Sequence, residues 1–192
     1  MVDSIKPKKN LGQNFLKNKY TINKIIEILD LKDNECIIEV GPGQGALTEF
    51  LVRKTKNYIG VEKDKNLCDL LKEKFININI INEDILKFDF NNLFNKKIRI
   101  IGNIPYNIST KLLLKCIENR NKIKRIDFMM QKEFVDRMIS EHGNKSYGRL
   151  SVLIQLFFDV EKYVDISPKD FYPEPKIYSS FVSLKPTNNI II

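Results

Sequence analysis

Five short apolar stretches, at residues 36–40, 58–61, 78–81, 98–101 and 126–130, alternate with segments whose apolar residues recur at helical spacing, at 20–29, 46–54, 66–75, 110–117 and 133–139. No other feature of the chain restricts its fold as strongly. Runs of four or five apolar residues read as strands covered on both faces. Amphipathic segments between them are crossover helices, which carry the chain back so that successive strands run parallel. The pattern predicts an α/β, Rossmann-like sheet of seven strands, mostly parallel, with helices on both faces. Segments 160–166 and 177–184, separated by Ser167-Pro168 and Pro173-Glu174-Pro175, read as a terminal pair that makes one edge antiparallel. Ser109 reads as the N-cap of 110–117. Residues 150–158 are apolar and stay ambiguous between helix and strand.

Open parallel sheets bind ligands beyond the C-terminal ends of their strands, so the residues at those ends carry the functional reading. Gly41-Pro42-Gly43-Gln44-Gly45 follows the first strand, Glu62 the second, Asp84 the third, and Asn103-Ile104-Pro105-Tyr106 the fourth. Glycines let a turn approach a ligand closely, but dinucleotide enzymes use a similar turn. The G-x-G-x-G spacing and Pro42 suit a pyrophosphate less well. Glu62 stands where an acid accepts hydrogen bonds from two ribose hydroxyls, and Asp84 where one accepts from an adenine amine. Taken singly, both also read as solvated strand ends. Together they describe a ligand with ribose and adenine but no phosphate, of which S-adenosylmethionine is the leading candidate. Its cationic sulfonium tolerates neighbouring carboxylates.

The Asn103–Tyr106 tetrapeptide suits the grip of a flat base with an exocyclic amine. The Asn103 oxygen and a backbone carbonyl at Ile104 or Pro105 accept the two N–H groups and direct the nitrogen lone pair outward. Pro105 fixes the strand edge. Tyr106 stacks on the base, and Phe171, on a Pro-stiffened loop, is a candidate for the opposite stacking face; an aromatic plug in the core is its plain alternative. Catalysis by such a site is alignment and polarisation more than acid–base chemistry.

Composition narrows the classes. The 192 residues suffice for one domain, and the net charge of +8 points to a polyanionic partner, with drift toward Lys, Asn and Ile as the plain alternative. Lys6, Lys8, Lys9 and Lys17, with Lys19, are candidates for phosphate contact, in a segment that reads equally as a solvated basic tail. No apolar run approaches the roughly 20 residues of a membrane span, and the N-terminus lacks a signal core. Cys36, Cys68 and Cys116 are odd in number and fall inside expected elements, which reads as reduced, buried thiols in a cytoplasmic protein. His142 is the only histidine, which argues against a His-centred triad and against a His/Cys metal site.

Six ordered motifs then carry a family resemblance: Leu11-Gly-Gln-Asn-Phe-Leu16, Glu39-Val-Gly-Pro-Gly-Gln-Gly-Ala-Leu-Thr48, Gly102-Asn-Ile-Pro-Tyr-Asn-Ile-Ser109, Gln131-Lys-Glu-Phe-Val135, Tyr147-Gly-Arg-Leu-Ser-Val152 and Phe171-Tyr-Pro-Glu-Pro-Lys-Ile-Tyr-Ser179. In these the chain resembles the ribosomal RNA adenine N6,N6-dimethyltransferases, which modify two adjacent adenosines near the 3′ end of small-subunit rRNA. The resemblance implies that Asn14, Leu16, Gly41, Glu62, Asp84 and Asn103 contact S-adenosylmethionine, with Gly43 and Ile85 beside them. It implies that Asn103 to Tyr106 position the adenine and that Phe171 stacks on it. It also implies the small ribosomal subunit as partner and a role in ribosome biogenesis. Ile104 stands where Leu is common, and Tyr178-Ser179 leans toward archaeal or eukaryotic-type members. The expectation is a monomer with one methyltransferase domain over 1–192, residues 1–19 being a basic segment that serves cofactor and RNA. The helical domain that family members usually carry further on is not expected within it. The alternatives are a large-subunit rRNA adenine methyltransferase of antibiotic-resistance type and a non-catalytic rRNA-binding assembly factor.

Overall fold

A computed structural model describes residues 6–91 and 93–187. The strands are β1 (Phe15–Leu16), β2 (Cys36–Val40), β3 (Tyr58–Glu62), β4 (Ile80–Asn82), β5 (Ile98–Asn103), β6 (Ile123–Gln131), β7 (Phe158–Ile166), β8 (Phe171–Tyr172) and β9 (Ser179–Pro186). The helices are α1 (Lys19–Leu29), α2 (Thr48–Lys54), α3 (Lys65–Lys74), α4 (Ser109–Glu118), α5 (Lys132–Met138) and α6 (Arg149–Phe157). The main sheet has seven strands in the order β4-β3-β2-β5-β6-β9-β7. Pairings from β4 to β6 are parallel, and β9 runs antiparallel to both its neighbours. The expected sheet is thus observed, with β9 inserted between β6 and β7.

Both faces of the sheet are buried, and side chains alternate between them as strand geometry requires. Ile38, Ile100 and Phe128 pack on one face, against Leu112 and Cys116 of α4 and Met138 of α5. Ile37, Ile101 and Met129 pack on the other, against Leu29 of α1, Leu51 of α2 and Leu71 of α3. The apolar runs lack alternation because neither face meets water. Cys36, Cys68 and Cys116 are buried free thiols, and burial pushes the Cys116 thiol up to about 12.

Two readings are corrected. Ser109 is the first residue of α4 and not its cap; Ile108 holds the cap position without a side-chain bond. The ambiguous 150–158 stretch is a helix. Ser151 Oγ accepts the Gly148 N–H and donates to the Arg137 carbonyl, which ties the first turn of α6 to α5.

Register decides what meets at the C-terminal edge. Val40 lies opposite Val61 on one side and Gly102 on the other, so Gly41, Glu62 and Asn103 emerge side by side. Gly102 is required there, because a Cβ would stand 2.6 Å from the Val40 carbonyl oxygen. At the opposite edge a closed ion network holds the strand starts. Arg99, 3% exposed, bonds Asp127 at 2.7 Å, Glu35 at 2.9 Å and the Leu29 carbonyl at 2.6 Å. Arg125 and Ser183 bond the other Asp127 oxygen, and Lys124 bonds Glu35 at 2.7 Å. Burial alone would raise the Glu35 carboxyl; hydrogen bonds from Lys124 and Arg99 and the Arg99 charge hold it below its ordinary value.

Candidate active site

The turn after β2 has positive φ at Gly41 (59°) and Gly43 (60°), the left-handed region that disfavours side chains. A Cβ on Gly43 would stand 3.0 Å from the Phe15 ring, whereas one on Gly41 would meet nothing within 4 Å. The loop is therefore close-packed against Phe15 at Gly43 and open at Gly41, and both glycines line the cleft. Glu62 anchors it. One carboxylate oxygen accepts the Gly43 N–H at 3.1 Å, and the other accepts the Asp64 N–H at 2.9 Å. Each oxygen keeps a further lone pair for a ligand hydroxyl. Glu62 makes no ion pair with any described residue, and burial raises its pKa against the pull of those two N–H groups.

Residues 10–16 pass over this cleft as a strap. At one end Lys8 Nζ and Gln13 Nε2 bond the two oxygens of Asp64, at 2.7 and 3.0 Å. These bonds, with the Asn66 N–H, hold the Asp64 carboxyl below its ordinary value although burial opposes them. At the other end Asp170 accepts from Asn18 Nδ2 at 2.6 Å and Thr21 Oγ1 at 2.9 Å. Between them β1 pairs antiparallel with β8. Sequence periodicity missed both two-residue strands, which are too short to show a period. Lys8 was expected on phosphate; its head group is committed to Asp64 instead. Lys6, Lys9 and Lys17 are exposed.

At the base end, Asn103 Nδ2 donates to the Asn14 carbonyl at 2.7 Å, which leaves Oδ1 to accept from a ligand. Of the two candidate carbonyls, Pro105 already accepts the Ile108 N–H at 3.1 Å, while Ile104 contributes only its N–H, to Met129. The Ile104 side chain is buried. Tyr106 is half-buried on the wall of the cleft, and its hydroxyl shares a 2.8 Å hydrogen bond with Ser179 Oγ. Burial raises the phenol pKa, with Ser179 partly offsetting it. Ser179 sits fully buried on β9, a residue that no spacing argument had singled out.

Phe171 departs from its expected place. Pairing with Leu16 turns its ring into the core beside Met129, Ile166 and Phe181, where it is 1% exposed and lines no part of the cleft. It has no face open for stacking; its contribution is to hold β8 against β1 and so to fix the strap.

Asn14, Leu16, Asp84 and Ile85 all line the cleft. Asp84 accepts from the Leu86 N–H at 3.0 Å and Lys63 at 2.9 Å, which hold its carboxyl below the ordinary range although burial opposes them. Glu39, buried beneath the glycine loop, accepts from Thr48 Oγ1 at 2.7 Å and Tyr58 at 2.6 Å through one oxygen. Burial pushes it up to about 7 despite those bonds. Glu39, Glu62, Glu83 and Asp84 thus face the cleft with one cation, Lys63, which is already paired to Asp84. That donor set, with an open glycine turn, fits S-adenosylmethionine and opposes a phosphate-bearing dinucleotide. Among the described residues no group of His, Cys, Asp and Glu has the arrangement of a metal site, and no helix is long and apolar enough to cross a membrane.

Comparison with known proteins agrees with this geometry. The chain is 45% identical over 190 residues to the ribosomal RNA small subunit methyltransferase A of Francisella tularensis subsp. novicida, spanning 96% of this chain and 72% of that one. Bacterial relatives at this identity offset the archaeal or eukaryotic lean of Tyr178-Ser179. A crystal structure of a dimethyladenosine transferase from Plasmodium falciparum superposes with a TM-score of 0.83 at 31% identity, over 92% of this chain and 64% of that one. The 23S rRNA methyltransferase ErmE superposes with 0.81 at 27%, over 93% and 72%. The sequence profile described as "Ribosomal RNA adenine dimethylase" matches residues 4–191, and the chain belongs to that family.

Proposed function

We propose that the protein is an S-adenosylmethionine-dependent methyltransferase that dimethylates N6 of adenosine in small-subunit ribosomal RNA, acting as a cytoplasmic monomer on two adjacent adenosines near the RNA 3′ end. The observation that carries this reading is the pairing of an acid-lined cleft with Asn103, whose amide nitrogen is held by the Asn14 carbonyl so that its oxygen is left to accept from a ligand. When bound, the cofactor supplies an electrophilic methyl group on a positively charged sulfur. Glu62 accepts the ribose hydroxyls with the lone pairs left after Gly43 and Asp64. Asp84, with Ile85 beside it, meets the adenine edge, and Gly41 leaves room for the chain bearing the sulfur.

An exocyclic adenine amine is a weak nucleophile, because its lone pair is delocalised into the ring. Asn103 Oδ1 and the Ile104 carbonyl accept its two N–H bonds, favour a pyramidal nitrogen and aim the lone pair across the cleft. Positive charge that develops on nitrogen is stabilised by the same two oxygens. Tyr106 presents a ring held by Ser179 against which the base stacks. Lys6, Lys9, Lys17 and Lys19 are the basic residues of the N-terminal segment left to meet RNA phosphates. The large-subunit reading shares this chemistry, and the 45% identity to the small-subunit enzyme favours the latter.

The test is transfer of labelled methyl groups from S-adenosylmethionine to small subunits that lack the dimethyladenosines, with large subunits in parallel. Label recovered as N6,N6-dimethyladenosine from the small subunit is expected, and Asn103→Ala is expected to lower it by about 10²–10³-fold. Label confined to large subunits would overturn the substrate assignment. No label on either, with cofactor binding intact, would overturn the enzymatic reading.

A further inference from the structure

Two regions next to the cleft differ in chemistry. Glu83 and Asp84 line the side at β4. Residues 167–178, between β7 and β9, line no part of the cleft but adjoin residues that do, and they carry two large aromatic side chains in water: Tyr172 is 57% exposed and Tyr178 is 53% exposed. Neither contributes to the core, and both are placed by the site itself. Tyr172 lies directly opposite Phe15 in the β1–β8 ribbon, so the two share one face of it. Phe15 lines the cleft. Tyr178 immediately precedes Ser179, which bonds Tyr106, and the Tyr178 carbonyl accepts the Lys132 N–H at 2.9 Å. Pro173 and Pro175 restrict the backbone between the two tyrosines.

Charge on this side favours an anion. Lys17, Lys169 and Lys176 are exposed, and none pairs with a carboxylate of a described residue. Of the acids in the segment, Asp170 is occupied by Asn18 and Thr21, which leaves Glu174.

We infer that this rim is a docking surface for single-stranded RNA on either side of the target adenosine, with Tyr172 and Tyr178 stacking on flanking bases and Lys17, Lys169 and Lys176 meeting phosphates. The inference rests on the RNA-adenine reading above. A base must leave its stack to enter a closed pocket, and its neighbours then lose a stacking partner. Aromatic side chains replace that partner without regard to sequence, since every base has a π-face. A protein surface would need apolar complementarity here, and three unpaired lysines argue against it.

The experiment measures anisotropy of a fluorescein-labelled single-stranded RNA nonamer with a central adenosine, at low salt, with a separate S-adenosylmethionine titration to show that each variant is folded. Tyr172→Ala and Tyr178→Ala are each expected to weaken RNA binding about tenfold, with Phe at either position restoring it and cofactor binding unchanged. Replacing Lys17, Lys169 and Lys176 together by Gln is expected to flatten the slope of log affinity against log salt by about 2. Alanine variants that bind like the wild type, a duplex of equal length that competes as well as the single strand, or no measurable wild-type binding would each overturn the inference. A deficit seen on assembled small subunits but not with the nonamer would assign the rim to a protein partner and overturn it too. The oligonucleotide readout needs no methyl transfer, so an inactive enzyme with the expected binding pattern would sink the proposed activity and leave the docking surface standing.

Discussion

The two ends of the sheet are built from the same residue types and put them to opposite use. At the N-terminal ends of the strands, Arg99, Arg125 and Lys124 close on Glu35 and Asp127, and every charge is answered. At the C-terminal ends, Glu39, Glu62, Asp64 and Asp84 meet two lysines, and Glu39 and Glu62 are answered by neutral donors alone. Buried carboxylates without cations cost stability. The fold carries that cost at the edge where a cationic ligand binds and avoids it at the other. The bottom network ties Glu35 to β5, β6 and β9, and the top leaves Glu39 and Glu62 without a cation.

The largest effect is expected from breaking the complete end. Arg99→Met leaves Asp127 with Arg125 and Ser183 only and strips Glu35 of its buried partner, and it should destabilise the fold by about 3–5 kcal/mol in denaturant unfolding. A loss under 1 kcal/mol would show that the network is replaceable by packing. At the incomplete end the sign reverses. Glu39 has its pKa raised from 4.5 to about 7. Below pH 4.5 it is protonated folded or unfolded and costs nothing. Between 4.5 and 7 the unfolded chain releases the proton and the folded one keeps it, so stability falls as pH rises, and above about 7 the full cost is present. Glu39→Gln keeps an oxygen for Thr48 and Tyr58 and cannot ionise. It should match the wild type near pH 4 and exceed it by up to about 3 kcal/mol at pH 8. Parallel stability curves for the two proteins across that range would remove the contrast between the ends.

Glu62 tests the same asymmetry through the ligand. In Glu62→Gln one of the Gly43 and Asp64 N–H groups faces an amide NH2 and loses its acceptor, while the buried charge is relieved. The two changes oppose each other, so the melting temperature should move little. Affinity for S-adenosylmethionine should fall about 10–100-fold, because charge-assisted bonds to the ribose are lost. Equal affinity with lowered stability would place Glu62 with the structural charges.

What the sequence made legible follows from period and from chain order. The strands β2, β3 and β5 show as apolar runs because both faces are buried, and the residues that end them, Gly41, Glu62 and Asn103, meet because parallel register aligns strand ends. The strap was not legible in the same way. Its strands are two residues long, and its bonds, Lys8 to Asp64 and Asn14 to Asn103, join residues 56 and 89 positions apart. Of the two readings of Phe171, the stacking face failed on direction and the core plug stands: only the pairing with Leu16 shows that the ring turns inward while Tyr172 turns outward. The Arg99 cluster escaped notice because a single arginine inside an apolar run reads as noise until Asp127 appears on the neighbouring strand.

The smallest and most discriminating contrast lies along one strand. Ser179 and Ser183 sit four residues apart on β9, both buried, so they point to the same face of the sheet. Ser179 bonds Tyr106 at the cleft, and Ser183 bonds Asp127 in the bottom network. On substitution by alanine Ser179 loses its single side-chain bond, to Tyr106, and Ser183 loses its bonds to Asp127 and Arg125, each worth about 1 kcal/mol, but the losses should be read out in different assays. Ser179→Ala frees the Tyr106 ring to tilt, so kcat should fall about 5–10-fold with cofactor affinity unchanged. Tyr106→Phe should match it, and the double variant should be no worse than either, because both remove the same bond. Ser183→Ala should leave kcat alone and lower unfolding stability by about 1–3 kcal/mol, because its bonds to Asp127 and Arg125 are lost while Asp127 keeps both arginines. If the two serines behaved alike in both assays, the division of the sheet into a binding end and a holding end would not extend to its individual side chains.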